Sequence, residues 1–474
     1  MKPGRFPALL AILILSASLS AAAQTSVPTA DLTAATAPAS QADYAGPSAP
    51  ISLRQAIAVA LEKNPMRKAA LADRRAAAAD VREAKSALWP RVTFSESATR
   101  SNDPVFAFGT KLRQGRFTAQ DFALNSLNSP TPIGNFATRF SGQWNLFHAP
   151  DWLNVERTRK MQAVVAQQLT RTEQQTVLRV VNAYYGLLLA MRQQQLAEQQ
   201  VETSKSILHF SRARYDTGLV VEADYLAAQV NEAVRKQELI RARNGVSLAR
   251  TELNTAMGVP ADLAYEPAEA LEERALDLLP LADAEKHALN SRPELKQVVL
   301  QQESAQIGTR MAKSEFLPRV SAFAGWEQDN PHFLGGGSNN WTAGIDVEFD
   351  VFTGGQKTAQ LHRARAMEDK LAALRQAAID NVRLEVRKAW YDADASRQQL
   401  EVARVAIKQS DENLRIIQTR YESGLNTITD LLRVEDSTRR TRTDYWQAVY
   451  GSQTSLADLE FAMGTLSEYS AVVQ

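Results

Sequence analysis

The sequence predicts a mainly α chain made of very long helices, with four β-strands of the kind found in membrane barrels. Two stretches, 151–217 and 356–423, contain no Pro and a single Gly, Gly186. They are far longer than an ordinary helix of roughly 8–20 residues, which is typical of coiled-coil-like packing. In addition, apolar and polar side chains alternate over 136–146 and 341–351. That alternation is the period of a β-strand.

Composition excludes several classes of protein. The chain has 474 residues, no Cys, and 54 Lys+Arg against 53 Asp+Glu, so its net charge of +1 indicates no nucleic-acid partner. Without Cys the chain has no disulfide, no thiolate chemistry and no thiolate-ligated metal. The five His are scattered and form no His-Glu-x-x-His motif. We therefore expect no metal site, no cofactor and no enzymatic activity.

Residues 1–23 have the pattern of a secretory signal peptide. Lys2 and Arg5 precede the apolar run 8–19, and Ala21-Ala22-Ala23 is a small-residue cleavage site before Gln24. The run is too short for a membrane anchor, which needs about 20 residues. Residues 24–50 are rich in Ala, Thr, Ser and Pro and are expected to form a disordered leader. We expect an exported, Cys-free protein of a bacterial envelope, cleaved near Ala23/Gln24.

The rest of the chain contains two copies of one unit. They define a first structural repeat, 51–260, a second repeat, 261–464, and a C-terminal tail, 465–474. The first copy has extra residues, and 102–135, rich in Pro, Gly, Asn and Ser, is predicted to be a long loop. Three matches recur in the same order: Ala84–Val92 with Ala312–Val320, Arg214–Leu219 with Arg420–Leu425, and Ala256–Gly258 with Ala462–Gly464.

Each unit has the predicted order short helix, strand, loop, strand, very long helix, turn, long helix. The short helices are expected at 65–89 and 293–317, and the second long helices at 219–257 and 425–463. Placed end to end, a short helix and a second long helix together have nearly the length of the very long helix. At 1.5 Å per residue the very long helices measure about 100 Å. Each unit is therefore expected to form two pseudo-continuous rods.

The strands lie in two predicted hairpins, 91–147 and 319–352. Their length matches the roughly 9–11 residues of a tilted transmembrane strand. A half-buried strand of a soluble protein is the alternative, but aromatic residues begin two strands, Phe136 and Trp341, and no other sheet is available for packing. Four strands cannot close a barrel, and open edges cannot face lipid. A membrane-spanning chain would therefore oligomerise, and a conducting pore would need at least three protomers.

These features resemble the TolC-like outer-membrane efflux protein family over 51–464. The duplicated Ala-Lys-Ser…Pro-Arg-Val junctions and the two Arg-Tyr-x-x-Gly-Leu turns carry the resemblance. It implies a homotrimer whose coiled-coil-like helical barrel continues a transmembrane β-barrel, completed by trimerisation with four strands per protomer. It also implies a passive exit duct in the bacterial outer membrane with a long periplasmic extension. The implied partners are a periplasmic adaptor (membrane fusion) protein, an inner-membrane transporter and outer-membrane lipid. Without Cys the chain is expected to be unlipidated.

The two repeated turns are candidate contact sites. Gly218 and Gly424 stand where a long helix must reverse, and glycine takes the left-handed conformation that ends helices. The resemblance adds that the adaptor docks on these turns. The implied contacts are Tyr215, Gly218, Leu219, Tyr421, Gly424 and Leu425.

Asp224 and Asp430 follow the two turns at equivalent places. From the residues alone they are solvated acids in the first turn of a helix, which the helix dipole favours. The resemblance matches Asp430 with an aspartate of the periplasmic gate, Asp224 with its counterpart in the first repeat, and Tyr421 with a tyrosine of the closing latch. Three copies of Asp430 would repel one another, raise their pKa values and attract cations. Where the family has a second acid, one helical turn after Asp430, this chain has Arg433, which could pair with Asp430.

Asp346, Glu348 and Asp350 form a predicted acidic stripe on one strand face. If these side chains point into the lumen, they would bias the passage of solutes, although a solvated barrel interior explains the acidic residues equally well.

A soluble periplasmic scaffold or adaptor is the alternative to a channel, but an adaptor needs one helical hairpin between β-rich domains, and this chain has two helical repeats. The transported substrate, whether drug, metal ion or protein, and the class of pump do not follow from the sequence.

Overall fold

A computed structural model describes residues 50–275, 277–333 and 335–473. The predicted signal peptide 1–23 and the leader up to residue 49 lie outside the described residues. Within the described ranges no helix is long and apolar enough to cross a membrane. The helices and strands are, in chain order: β1 (Pro50–Ile51), α1 (Leu53–Lys63), α2 (Pro65–Ser86), β2 (Arg91–Ser101), α3 (Pro104–Arg113), α4 (Leu124–Asn128), β3 (Ile133–Phe147), α5 (Ala149–Asp216), α6 (Glu222–Met257), β4 (Glu266–Pro267), α7 (Leu281–Ser291), α8 (Pro293–Ser314), β5 (Arg319–Asn330), β6 (Ser338–Glu348), α9 (Gln356–Glu422) and α10 (Ile428–Met463).

The long helices lie within one helical turn of their predicted bounds. α5 has 68 residues and α9 has 67, while α6 and α10 have 36 each and α2 and α8 have 22 each. The end of α6 meets the start of α2, where the Asn64 side-chain amide donates to the Ala256 carbonyl at 3.0 Å. At the equivalent place the end of α10 meets the start of α8, because Gly464 lies against Arg292. Short and second long helices therefore do align end to end beside α5 and α9.

Two short helices, α1 and α7, were not predicted. Each is followed by one non-helical residue and then a proline: Asn64 before Pro65, and Arg292 before Pro293. These two residues have extended ψ angles of 127° and 123°. A following proline disfavours helical ψ, so each proline separates two helices instead of beginning a single one. α1 packs with the middle of α5 in the main hydrophobic core. The predicted tail joins that core, since Leu466 and Val472 are buried there.

The four long strands form one antiparallel sheet in the order β2-β3-β5-β6. The register places Arg139 opposite Glu327 on one face and Phe140 opposite Trp326 on the other. We call these the polar face and the apolar face of the sheet. Several large side chains of the apolar face are exposed: Val92, Phe94, Phe140, Trp144, Trp341, Ile345 and Val347. These side chains form an exposed apolar band, and a polar row crosses the same face beyond it: Glu96, Thr138, Gln328 and Asn339. An exposed apolar band of this kind marks a protein or membrane contact.

Two strand-region predictions need correction. β6 covers Ser338–Glu348, so the predicted strand residues 349–351 lie beyond it, before the left-handed Gly354 and Gly355 that start α9. The segment 102–135, predicted to be a long loop, contains α3, a 3-10 turn, α4 and the start of β3. The local signal was present, because Asp103 caps α3 by accepting a 2.7 Å hydrogen bond from the Phe106 amide and Pro104 begins the helix.

Candidate functional site

The turns after α5 and α9 have the same backbone geometry. Gly218 and Gly424 have φ angles of 71° and 75°. In each turn the amide after the glycine bonds back to a carbonyl of the last helical turn, Leu219 to Arg214 at 2.8 Å and Leu425 to Arg420 at 2.8 Å. This is the capping pattern that ends helices with glycine. The structural role predicted for both glycines is therefore observed.

The tips of these turns expose apolar side chains. Leu219 is 68% exposed and Leu425 is 70% exposed. Tyr215 is also exposed and stacks on Tyr225 with ring centres 5.6 Å apart. Two exposed leucines at equivalent turns form a surface suited to protein contact.

Tyr421 does not belong to that surface. Its side chain is only 4% exposed and packs against Phe210, with ring centres 5.8 Å apart, in a small core with Ile428 and Leu431. The prediction that Tyr421 contacts the adaptor at the surface is wrong, because its ring points into the helix bundle. Its predicted place in a latch is compatible with this burial and stays a prediction.

The surroundings of Tyr421 join both halves of the chain. The Arg214 guanidinium donates to the Tyr421 carbonyl at 3.2 Å and lies 5.8 Å from the centre of its ring. Burial raises the pKa of the Tyr421 hydroxyl; the Arg214 charge opposes this effect, and Asp224 adds to it. The Ser211 hydroxyl of α5 donates to the Asp224 carbonyl at 3.5 Å, which brings the start of α6 next to this region. Arg214 was missed as a site residue, although the repeated Arg-Tyr pair marked it.

Asp430 belongs to a helix cap. Its carboxylate accepts hydrogen bonds from the Thr427 hydroxyl at 2.8 Å and the Thr427 amide at 3.2 Å, while its own amide donates to the Thr427 hydroxyl. These bonds, with the charge of Arg433, lower the pKa of Asp430. Within one chain the pKa change is thus opposite to the increase expected from three clustered copies. Asp224, on the equivalent helix α6, stands in the first turn after Val221, which provides no side-chain cap.

The predicted acidic stripe is largely neutralised. Asp346 and Glu348 lie on the polar face, but Glu348 forms an ion pair with Arg319 across the strands. Asp350 lies beyond β6 and pairs with Lys357 at 3.1 Å. The prediction of a continuous acidic row on one strand is therefore wrong. In the described ranges, no group of three or more His, Asp or Glu side chains is placed to hold a metal ion.

Comparison with known proteins identifies the chain. Its sequence matches the family described as outer membrane efflux protein over residues 56–259 and 285–465. The chain belongs to this family. The alkaline protease secretion protein AprF of Pseudomonas aeruginosa is 23% identical over 422 residues, which cover 86% of this chain and 84% of that protein. Outer membrane protein TolC of Salmonella enteritidis is 23% identical, covering 88% of this chain and 82% of TolC.

Solved structures of other outer membrane proteins share the fold of this efflux protein. The CmeC channel of Campylobacter jejuni has a TM-score of 0.74 at 17% identity, covering 89% of this chain and 87% of CmeC. VceC of Vibrio cholerae has a TM-score of 0.71 at 19% identity, covering 87% of this chain and 96% of VceC. The predicted fold class, mainly α with a β-barrel part, is confirmed. The outer-membrane location and the function class, an exit duct for efflux or secretion, follow from the family and are confirmed.

Proposed function

We propose that three copies of this efflux protein form the passive exit duct of a tripartite export system. The four-stranded sheet, with one apolar and one polar face, is the observation that carries the proposal. Among the described strands, β2 and β6 each have a neighbour on one side only. An unpaired strand edge in lipid leaves backbone groups unsatisfied at a cost of several kcal/mol each. Other copies of the chain provide the missing partners.

Barrel size favours three copies. Two copies would supply eight strands, and the interior of an eight-stranded barrel is filled by side chains. Three copies supply twelve strands and leave a lumen. The exposed apolar face then contacts lipid, and the polar face, with Arg139 and Glu327, lines the water-filled interior.

The long helices provide the periplasmic part of the duct. At 1.5 Å per residue, α5 and α9 are each about 100 Å long, far more than the thickness of a membrane. We propose that 51–260 and 261–464 are structural repeats, each supplying one turn at the far end of the helices. A periplasmic adaptor docks on these turns through Leu219, Leu425, Tyr215 and the two glycines, and an inner-membrane transporter powers export.

The relatives of the chain differ in what they export. Their names include alkaline protease secretion, pyoverdine export and antibiotic efflux. The shared fold therefore does not select one substrate class, and we assign substrate choice to the inner-membrane transporter.

The oligomer and its conductance test this proposal. The signal-processed protein should stay in the outer-membrane fraction, need detergent for extraction, and have the light-scattering mass of three protomers. In a planar lipid bilayer the purified trimer should conduct ions. A monomer that dissolves without detergent would contradict the proposal and favour a periplasmic scaffold.

Gly424→Asp should abolish export without unfolding the protein. Aspartate tolerates the left-handed backbone better than most residues. A Cβ at Gly424 would contact only the flexible end of Arg214, at 3.4 Å. The added charge instead disturbs the turn on which the adaptor docks. Export is measured as accumulation of a fluorescent dye in cells that carry the channel with its adaptor and transporter. Gly424→Asn, which has no charge, serves as the control, and loss of the trimer in either variant would show that the effect is structural.

A further inference from the structure

The connection between β2 and β3 is a folded element. Residues 104–128, which we call the α3 segment, contain three phenylalanines in mutual contact: Phe117 lies 4.8 Å from Phe108 and 5.1 Å from Phe122 between ring centres. Lys111 forms a 2.7 Å ion pair with Asp121. Hydrogen bonds from Lys111 and Thr118 lower the pKa of Asp121 to about 2. The segment therefore has its own small core and its own ion pair.

The α3 segment lies across the strands at the hairpin end of the sheet, away from the long helices. Gln114 is buried and donates to the Asn135 side chain of β3 at 2.9 Å. Asn135 in turn donates to Asp329 of β5 at 2.5 Å. Beyond that, a Cβ at Gly115 would lie only 2.7 Å from the hydroxyl oxygen of Ser338, the first residue of β6. The segment thus contacts three of the four strands.

One carboxylate connects the α3 segment to the polar face. Glu327 of β5 accepts from Arg139 of β3 at 2.6 Å through one oxygen and from Arg113 at the end of α3 at 3.3 Å through the other. Next to this bridge, an open cleft of about 610 Å³ is lined by Arg113 and by the polar face as far as Arg91 and Thr342. Arg113 therefore extends over the polar face and not over the lipid-facing side.

We propose that the α3 segment is a lid over the outer opening of the duct and that the Arg113–Glu327–Arg139 bridge holds it in place. The proposal rests on the proposed function, which makes the polar face the lumen and the hairpin end the outer end. The second hairpin connects its strands through the short segment 331–337, so each protomer contributes one lid. Three lids narrow the opening and limit the size of the solutes that leave, because passage depends on the diameter of the constriction.

Breaking the bridge should widen the channel. Glu327→Gln removes the shared charge, and we expect the single-channel conductance of the trimer in a planar bilayer to rise about twofold or more. Glu348→Gln is the matched control. It removes one acid from the same polar face and breaks the pair with Arg319 at the opposite end of the sheet, away from the α3 segment. The control should conduct like the wild type. Equal conductance of both variants would contradict the proposal that the α3 segment is a lid.

A covalent lock separates movement of the lid from loss of charge. The chain has no Cys, so Gly115→Cys with Ser338→Cys creates a single possible pair in each protomer. A Cβ at Gly115 lies 3.4 Å from the Ser338 Cβ, close to the roughly 3.5–4.5 Å of disulfides. Added to Glu327→Gln, the oxidised pair should restore wild-type conductance, and reduction should raise it again. Raised conductance in the oxidised triple variant would contradict the lid, whereas a wild type that does not conduct would overturn the proposed function itself.

Discussion

Gly258→Ala should destabilise the protein far more than Gly218→Ala. Both glycines end a long helix with nearly the same left-handed backbone, φ 73° and 71°. Any L-residue at such a φ costs roughly 1 kcal/mol. A Cβ at Gly258, however, would lie 2.7 Å from the Asn64 Cα and 3.0 Å from the Asn64 amide nitrogen, whereas Gly218 has no atom within 4 Å. Relieving a backbone clash shifts the junction of α6 with α2 and costs a further 1–3 kcal/mol, roughly.

Thermal unfolding followed by circular dichroism at 222 nm in detergent measures this difference. Gly464→Ala should fall between the two, because its Cβ would meet the Arg292 backbone at 3.0 Å. The expected order of midpoints is wild type, Gly218→Ala, Gly464→Ala and Gly258→Ala, from highest to lowest. Equal shifts for Gly258→Ala and Gly218→Ala would mean that the contact with Asn64 does not constrain the junction.

Arg292→Met should have the second large effect. The Arg292 side chain is 3% exposed and bonds to Glu294 at 3.1 Å and to Glu385 of α9. Arg171 of α5 completes the cluster through a bond to Glu294 and contact with the ring of Phe461. Arg292→Met breaks the bonds of a buried charge to Glu294 and Glu385, whose side chains are 32% and 56% exposed, so we expect a cost of about 1.5–3 kcal/mol, the range for hydrogen bonds to charged groups. The cluster joins α5, α8 and α9, so its loss should lower the unfolding midpoint.

Arg310→Met provides the matched control, on the helix α8 that begins directly after Arg292. Arg310 pairs with Glu156 at 2.7 Å, but both side chains are well exposed, at 53% and 44%. Such surface pairs contribute about 0–1 kcal/mol. We therefore expect little change in the unfolding midpoint. A shift as large as that of Arg292→Met would mean that burial of the pair is not the cause.

The effect of Arg292→Met should depend on pH. Burial alone would raise the pKa of Glu294, but hydrogen bonds from Arg292 and the charges of Arg292 and Arg171 hold it below its ordinary value of 4.5. A carboxyl with a lowered pKa stabilises the fold above its ordinary pKa, and this stabilisation disappears as the pH falls below that value. The difference in midpoint between wild type and variant should therefore be full at pH 7 and shrink below about pH 4.5. A difference independent of pH would assign the loss to packing.

Local patterns accounted for the elements that the sequence predicted well. The bounds of α5 and α9 follow from the absence of Pro over 151–217 and 356–423, and the turns follow from Gly218 and Gly424. The cap formed by Thr427 and Asp430 was also readable, because Ser or Thr followed three residues later by an acid is a cap signal. It gives Asp430 a capping role, whereas the residues alone had predicted a solvated acid and the resemblance a gate residue.

Contacts between distant residues decided the rest. The α3 segment was predicted to be a loop because its partners, Asn135, Glu327 and Ser338, become neighbours only when the strands pair. The buried position of Tyr421 depends on Phe210 of another helix, and the cluster around Arg292 joins three helices.

The sequence by itself determined the long helices, the alternating strands and the duplicated order that place this chain among outer membrane efflux proteins. These features depend on periodicity and on Pro and Gly, which act within a few neighbouring residues. Only the tertiary structure decided which charges are paired, which ring is buried and where the α3 segment lies. Pairing and burial depend on the side chains that packing brings together from distant parts of the chain.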